Sequence, residues 1–120
     1  RMMKKSSTLR STLKRRSKEY EVEFKISLEE VRELLYRAYG RPCHYCDKKL
    51  VIDCMVCDHI LPLSLGGNST PENLQMICRR CNTRKGPLTD RNFKKLLKFL
   101  DRQTKDLRNY VLRKLSSRDF

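Results

Sequence analysis

Asp58 and His59 are neighbours in the chain, Asn73 follows in a polar loop, and Asn82 and Lys85 come three residues apart further on. A carboxylate and a neutral amide oxygen can together hold one Mg²⁺ and leave positions open for phosphate and water. Asp58 and Asn82 supply those oxygens. A neutral imidazole can take a proton from water near neutral pH, and His59 supplies that base. Asn73 can fix His59 or the loop by hydrogen bonding. Lys85, on the same helix face as Asn82, can meet a phosphate. As a set, these residue types suit hydrolysis of a phosphodiester bond. Singly, each has a plainer reading as a strand-end pair, a turn residue or a helix-end residue.

Two Cys-x-x-Cys pairs bracket this stretch, Cys43 with Cys46 and Cys78 with Cys81. Each pair has the spacing of a knuckle turn, and four thiolates suit tetrahedral Zn²⁺. The long gap between the pairs implies an insert between the knuckles. Cys54 and Cys57 form a third pair, but they fall in an expected strand, where residues three apart face opposite sides. They read as buried small apolar residues. His44 reads as a loop residue. Paired spacing favours metal over disulfides.

The elements that must position these groups follow from patterning. Tyr20, Val22, Phe24 and Ile26 alternate with charges, which predicts an extended segment over 20–26. Ser27-Leu28-Glu29-Glu30 is a capping box, so a helix is expected over 28–39, ending at Gly40. Leu50-Val51-Ile52 and Met55-Val56 suggest a hairpin whose second strand ends at Asp58-His59. That ending matters, because both side chains can serve one site only where the strand stops. Residues 60–73 carry Pro, Gly, Asn and Ser and predict a structured loop. A strand near 74–77, a short helix over 79–85 and one long basic helix over about 90–115 complete the reading. A core this small, with 38% hydrophobic residues and no Trp, needs a staple, and zinc is a common one.

The net charge of +14 is unevenly distributed: +8 over 1–18, −2 over 19–83 and +8 over 84–120. A near-neutral centre between basic flanks implies a polyanion partner. Residues 1–18 read as a flexible basic arm that orders on phosphate, with a short amphipathic helix through Leu9 and Leu13 as the alternative. The start lacks an apolar run, so no signal peptide is expected, and no stretch has the length of a membrane span. An intracellular protein of the cytoplasm or nucleoid is the expectation, with a phage or mobile element among its sources.

The combination Cys-x-x-Cys, Asp58-His59-Ile60-x-Pro62, Gly66-Gly67, Asn73-Leu74-Gln75 and Cys78-x-x-Cys81-Asn82-x-x-Lys85 resembles the HNH, or ββα-metal, nuclease family. The resemblance covers 43–86 and implies Asp58 as a metal ligand, His59 as general base and Asn73 as the middle, mainly structural residue. Asn82 stands where the last His of the family name usually lies, an HNN variant in which Asn is also a metal ligand. The resemblance further implies a structural zinc and cleavage leaving 5′-phosphate and 3′-hydroxyl ends. The expected fold is therefore α+β, a small zinc-stapled ββα core (43–86) with flanking helices, within one domain over 19–120 behind the arm. The expected function is a Mg²⁺-dependent endonuclease acting on double-stranded DNA, with Mn²⁺ as an alternative ion and a homodimer as one route to cutting both strands. Lys14, Arg15, Arg16, Arg79, Arg80, Arg84 and Lys85 are the expected DNA contacts. The rival reading is a non-catalytic zinc-stapled module that binds DNA or RNA.

Overall fold

The computed structural model describes residues 1–117. Helix α1 (Met2–Glu19) and helix α2 (Leu28–Ala38) precede strand β1 (Met55–His59). Short 3₁₀ turns follow at Leu63–Leu65 and Pro71–Asn73, then strand β2 (Leu74–Cys78) and helices α3 (Arg79–Lys85), α4 (Asp90–Asp101) and α5 (Lys105–Ser117). β1 and β2 pair antiparallel, with Asp58 opposite Gln75 and His59 opposite Leu74. The α+β class and the ββα core are as the sequence led us to expect.

The amino-terminal segment is a helix rather than a free arm. Met2, Ser6, Leu9, Leu13 and Ser17 recur at helical spacing, and Ser6, Leu13 and Ser17 are buried. Leu13 joins Val31 and Leu35 of α2 and Met55 and Ile77 of the sheet in one core. Serine fits this stripe because it is small and because its hydroxyl can be satisfied within the fold, as Ser6 Oγ donates to the carbonyl of Met2 at 2.8 Å. Arg16 and Lys18 in the last turn complement the helix dipole.

The capping box of α2 forms in both directions, Glu30 N–H to Ser27 Oγ and Ser27 N–H to Glu30 Oε1. Gly40 follows with φ of 80°, the left-handed conformation expected of it. Residues 20–26 do not form a strand. They make one parallel bridge, Phe24 to Ser69, in the middle of the polar loop. The hairpin expected at 50–56 is also absent. Val51 O accepts from the N–H groups of Cys54 and Met55, making a tight turn, so β1 pairs with β2 instead.

The long carboxyl-terminal helix is two helices. Phe93, Leu96, Leu97 and Leu100 keep apolar spacing, but the next apolar residue is Leu107, and the missing turn holds Gln103 and Thr104. Thr104 Oγ1 accepts from Leu107 N–H and caps α5. The break lets α5 turn back onto α3, where Arg84 Nε donates to Ser116 Oγ at 2.6 Å. α4 buries Phe93 edge-on against Tyr45, with ring centroids 4.8 Å apart.

Candidate active site

The first knuckle is a turn closed by Asp47, which takes a left-handed φ of 62°. The second lies at the junction of β2 and α3. Cys78 ends the strand, and its sulfur accepts from Cys81 N–H at the start of the helix. The Sγ atoms of Cys43, Cys46, Cys78 and Cys81 all lie within 4.8 Å of one another. A tetrahedral Zn–S₄ centre with bonds of about 2.3 Å needs sulfurs about 3.8 Å apart, so small side-chain movements suffice. The Cys43 sulfur also accepts backbone N–H bonds from Tyr45 and Cys78, as a thiolate would. A hydrogen bond from Cys81, helped by those N–H groups, draws the Cys43 thiol down to about 4 against the opposing effect of burial. The Cys81 and Cys78 thiols are pushed up, Cys81 chiefly by that same bond to Cys43 and Cys78 chiefly by burial. Four thiols this close can all ionise only around a cation. Cys54 and Cys57 stand outside the cluster and are half-buried rather than buried; Cys57 lies in β1, whereas Cys54 sits in the turn before it.

Above the knuckles, β1 ends at His59 and the chain turns into the loop. Asp58, His59, Asn82 and Lys85 line one cleft of about 380 Å³, together with Arg16 of α1 and Tyr20 just beyond the helix end. Because β1 stops at His59, both neighbours reach the same space. Asp58 Oδ2 accepts from Gln75 Nε2 at 2.9 Å, across the strand pair, and Oδ1 accepts from Lys85 Nζ at 3.2 Å. Burial raises the Asp58 carboxyl, and the Gln75 bond and the Lys85 charge only partly counter it. Burial, with Arg16 and Lys85 nearby, holds the His59 imidazole down to about 4, so the ring is neutral at neutral pH. The Asn82 side chain has no hydrogen-bond partner among the described residues.

Asn73 fixes the loop rather than His59. Its Oδ1 accepts from Leu61 N–H, and its Nδ2 donates to the carbonyls of Leu61 and Asn68. His59 is held by Ser69, whose Oγ lies 2.9 Å from Nε2. Gly67 completes the clasp, because a Cβ there would sit 1.7 Å from the Leu61 carbonyl oxygen.

Lys85 faces inward, toward Asp58. It is fully buried, and its ammonium also donates to the His59 carbonyl at 3.0 Å. The fold uses the cation to neutralise Asp58 from within. Arg84 is half-buried against α5. Lys14, Arg15, Arg16, Arg79 and Arg80 are exposed, Arg15 paired to Glu19 and Arg79 donating to the Asp53 carbonyl. A second groove of about 660 Å³ runs beside α1, lined by Lys4, Lys5 and Arg79, and shares Cys57 with the cleft.

Sequence reasoning missed three residues. Gln75 was visible as the one polar side chain in Leu74-Gln75-Met76-Ile77, where a half-buried amide demands a partner. Tyr45, inside the first knuckle, accepts from Gln75 Nε2 at 2.8 Å and donates to Asp90 at 2.6 Å, which ties zinc knuckle, sheet and α4 into one polar chain. Ser69 gave no signal of its own in a loop rich in small polar residues.

A two-stranded sheet running straight into a short helix, with a four-cysteine cluster that could hold zinc and an Asp-His pair sharing a cleft with a helical Asn, defines the class as a cysteine-knuckled ββα domain. The model of the family described as HNH endonuclease matches residues 43–98. None of the curated proteins matches the chain. The family implies a nucleic-acid substrate and a divalent metal.

Proposed function

We propose that the chain is a metal-dependent endonuclease that hydrolyses phosphodiester bonds of double-stranded DNA. The observation that carries this is the convergence of Asp58, His59 and Asn82 on one cleft edged by Arg16. The residues fit a Mg²⁺ ion. Each Asp58 oxygen has a single hydrogen-bond partner and keeps a lone pair, and the Asn82 amide is unengaged. Asp58 and Asn82 would hold the ion, with water and phosphate oxygens completing its shell. When bound, the ion supplies positive charge that stabilises the departing 3′ oxygen. The neutral His59 ring accepts the proton of the attacking water. Lys85 and Gln75 keep the Asp58 carboxylate aimed into the cleft. Arg16 and the exposed cations of α1 and α3 meet backbone phosphates. One site cuts one strand, so double-strand cleavage takes two events or two copies.

A binding module without catalysis gains some support from Asp58 itself, whose two partners also make it a satisfied structural carboxylate. Nicking of supercoiled plasmid decides. The wild type should nick with Mg²⁺ and stop with EDTA. His59→Ala should fold, bind DNA and lose at least about a hundredfold in rate. Asn82→Ala should lose activity that raised Mg²⁺ or Mn²⁺ partly restores. A wild type that binds DNA yet never nicks it with either ion would replace this reading with the binding module.

A further inference from the structure

We propose that the groove beside α1 seats an unpaired DNA strand leading away from the cleft, with phosphates on its cationic rim and bases on its apolar floor. The substrate is then a duplex that carries a single-stranded extension near the cut. This deepens the nuclease reading by naming its substrate, while the binding step itself needs no catalysis. α1 lies outside residues 43–98, so the groove is something the rest of the chain adds to the ββα core.

The rim holds four cations, Arg1, Lys4, Lys5 and Arg79, against the single carboxylate of Asp53. Arg1 already engages that carboxylate, and Arg79 donates to the Asp53 carbonyl. Lys5 is half-buried, and its ammonium has no hydrogen-bond or ion-pair partner among the described residues. Burial and the nearby Arg79 charge draw its pKa down, and Asp53 only partly opposes them. An anion set beside Lys5 relieves that crowding.

The floor is apolar, built from Leu9, Ile52, Met55, Val56 and Met76. A cationic rim alone suits any phosphate backbone. An apolar floor between the cations suits the face of a base, and a base paired and stacked within a duplex has no face to offer. The occupant is therefore a strand that has left the duplex.

The groove leads to the chemistry. Lys5, Thr8, Thr12 and Arg16 follow one another at helical spacing, so one face of α1 passes from the groove into the cleft. Lys5 and Arg16 stand about 16 Å apart along the helix axis at 1.5 Å per residue. On the sheet side, Cys57 lines both spaces. The helical wall is fixed by Leu13 in the core and by Ser17 Oγ, which is hydrogen-bonded at 2.6 Å to Ser69 Oγ, 52 positions along the chain.

Fluorescence anisotropy with the full zinc-loaded chain, without added Mg²⁺, tests this. The DNAs are a blunt duplex and the same duplex with a thymidine tail of about six nucleotides on either the 5′ or the 3′ end. One tailed duplex should bind at least about tenfold more tightly than the blunt one, and an abasic tail should recover only part of that gain. Lys5→Gln and Thr8→Glu, both away from the catalytic residues, should remove most of the gain and leave blunt-duplex affinity within about twofold. Equal binding of blunt and tailed duplexes overturns the proposal. So does an abasic tail that gains as much as thymidine, which would mean charge alone. A full gain kept by both variants places the tail elsewhere and also overturns it. An oligoglutamate peptide that binds as tightly as oligothymidine assigns the groove to an acidic protein segment instead. A wild type that takes the tail in this groove yet never nicks DNA supports the proposal and refutes only the nuclease reading.

Discussion

Lys85 Nζ lies 3.2 Å from Asp58 Oδ1, and both side chains are almost wholly withdrawn from water. Removing one partner of such a pair leaves a buried charge uncompensated, at a cost of about 3–5 kcal/mol. Lys85→Met should therefore destabilise the fold by that order in urea unfolding. Adding Asp58→Asn to it should recover most of the loss. A Lys85→Met protein as stable as the wild type would show that the pair is not the neutralising contact.

Acid should act through His59. Its folded value is about 4 against 6.5 unfolded, so the unfolded state binds more protons between those limits. The stability this group contributes is complete above pH 6.5 and is lost as pH falls through 4. Asp58 runs the other way, because its raised carboxyl costs stability as pH rises. Unfolding of wild type and His59→Gln at pH 7 and pH 4.5 isolates the histidine. The wild type should lose roughly 2 kcal/mol more than the variant between the two pH values.

The cysteine cluster predicts one zinc per chain. Cys43→Ser or Cys81→Ser should lose the metal and the fold together, read by metal analysis and circular dichroism. Cys54→Ala and Cys57→Ala should keep full zinc content. Loss of zinc in either would mean that the wrong cysteines have been assigned.

The two adjacent glycines of the loop should respond differently. Gly66 has φ of 89° with open space around it, so Gly66→Ala costs about 1–2 kcal/mol of backbone strain. Gly67→Ala drives a Cβ into the Leu61 carbonyl and must displace the chain that Asn73 clasps. It should cost more than Gly66→Ala and also lower the nicking rate. Thermal melts of the two variants give the comparison.

DNA affinity should fall steeply with salt, through release of counterions from the phosphates. Deleting 1–18 does not test this, because it also takes Leu13 from the core. Lys14→Gln and Arg16→Gln preserve the helix. Each should reduce the slope of log affinity against log salt by about one if it holds a phosphate. An unchanged slope in both would move the binding face away from α1.

What could be read from the residues was local or repeated. The capping box at Ser27, the Gly40 stop, the four clustered cysteines and both strands of the sheet each announce themselves within a few positions. The features that escaped depend on partners far along the chain. Ser6 and Ser17 look polar until a tight helix contact makes smallness their value. Lys85 looks like surface charge until Asp58, 27 residues earlier, is seen to need it. The break between α4 and α5 was visible as a gap in the apolar spacing after Leu100, but its purpose, bringing Ser116 to Arg84, was not.

The distance between Ser17 and Ser69 also bears on how the protein is made. α1 leaves the ribosome before the residues that build its seat have been translated. Closing so long a loop is slow compared with forming local turns. Until Lys85 emerges, the Asp58 carboxylate lacks its internal cation and the cleft lacks its helical wall. At ordinary elongation speeds this interval lasts on the order of a few seconds. The cleft is thus assembled only after α3 has followed the sheet out of the ribosome.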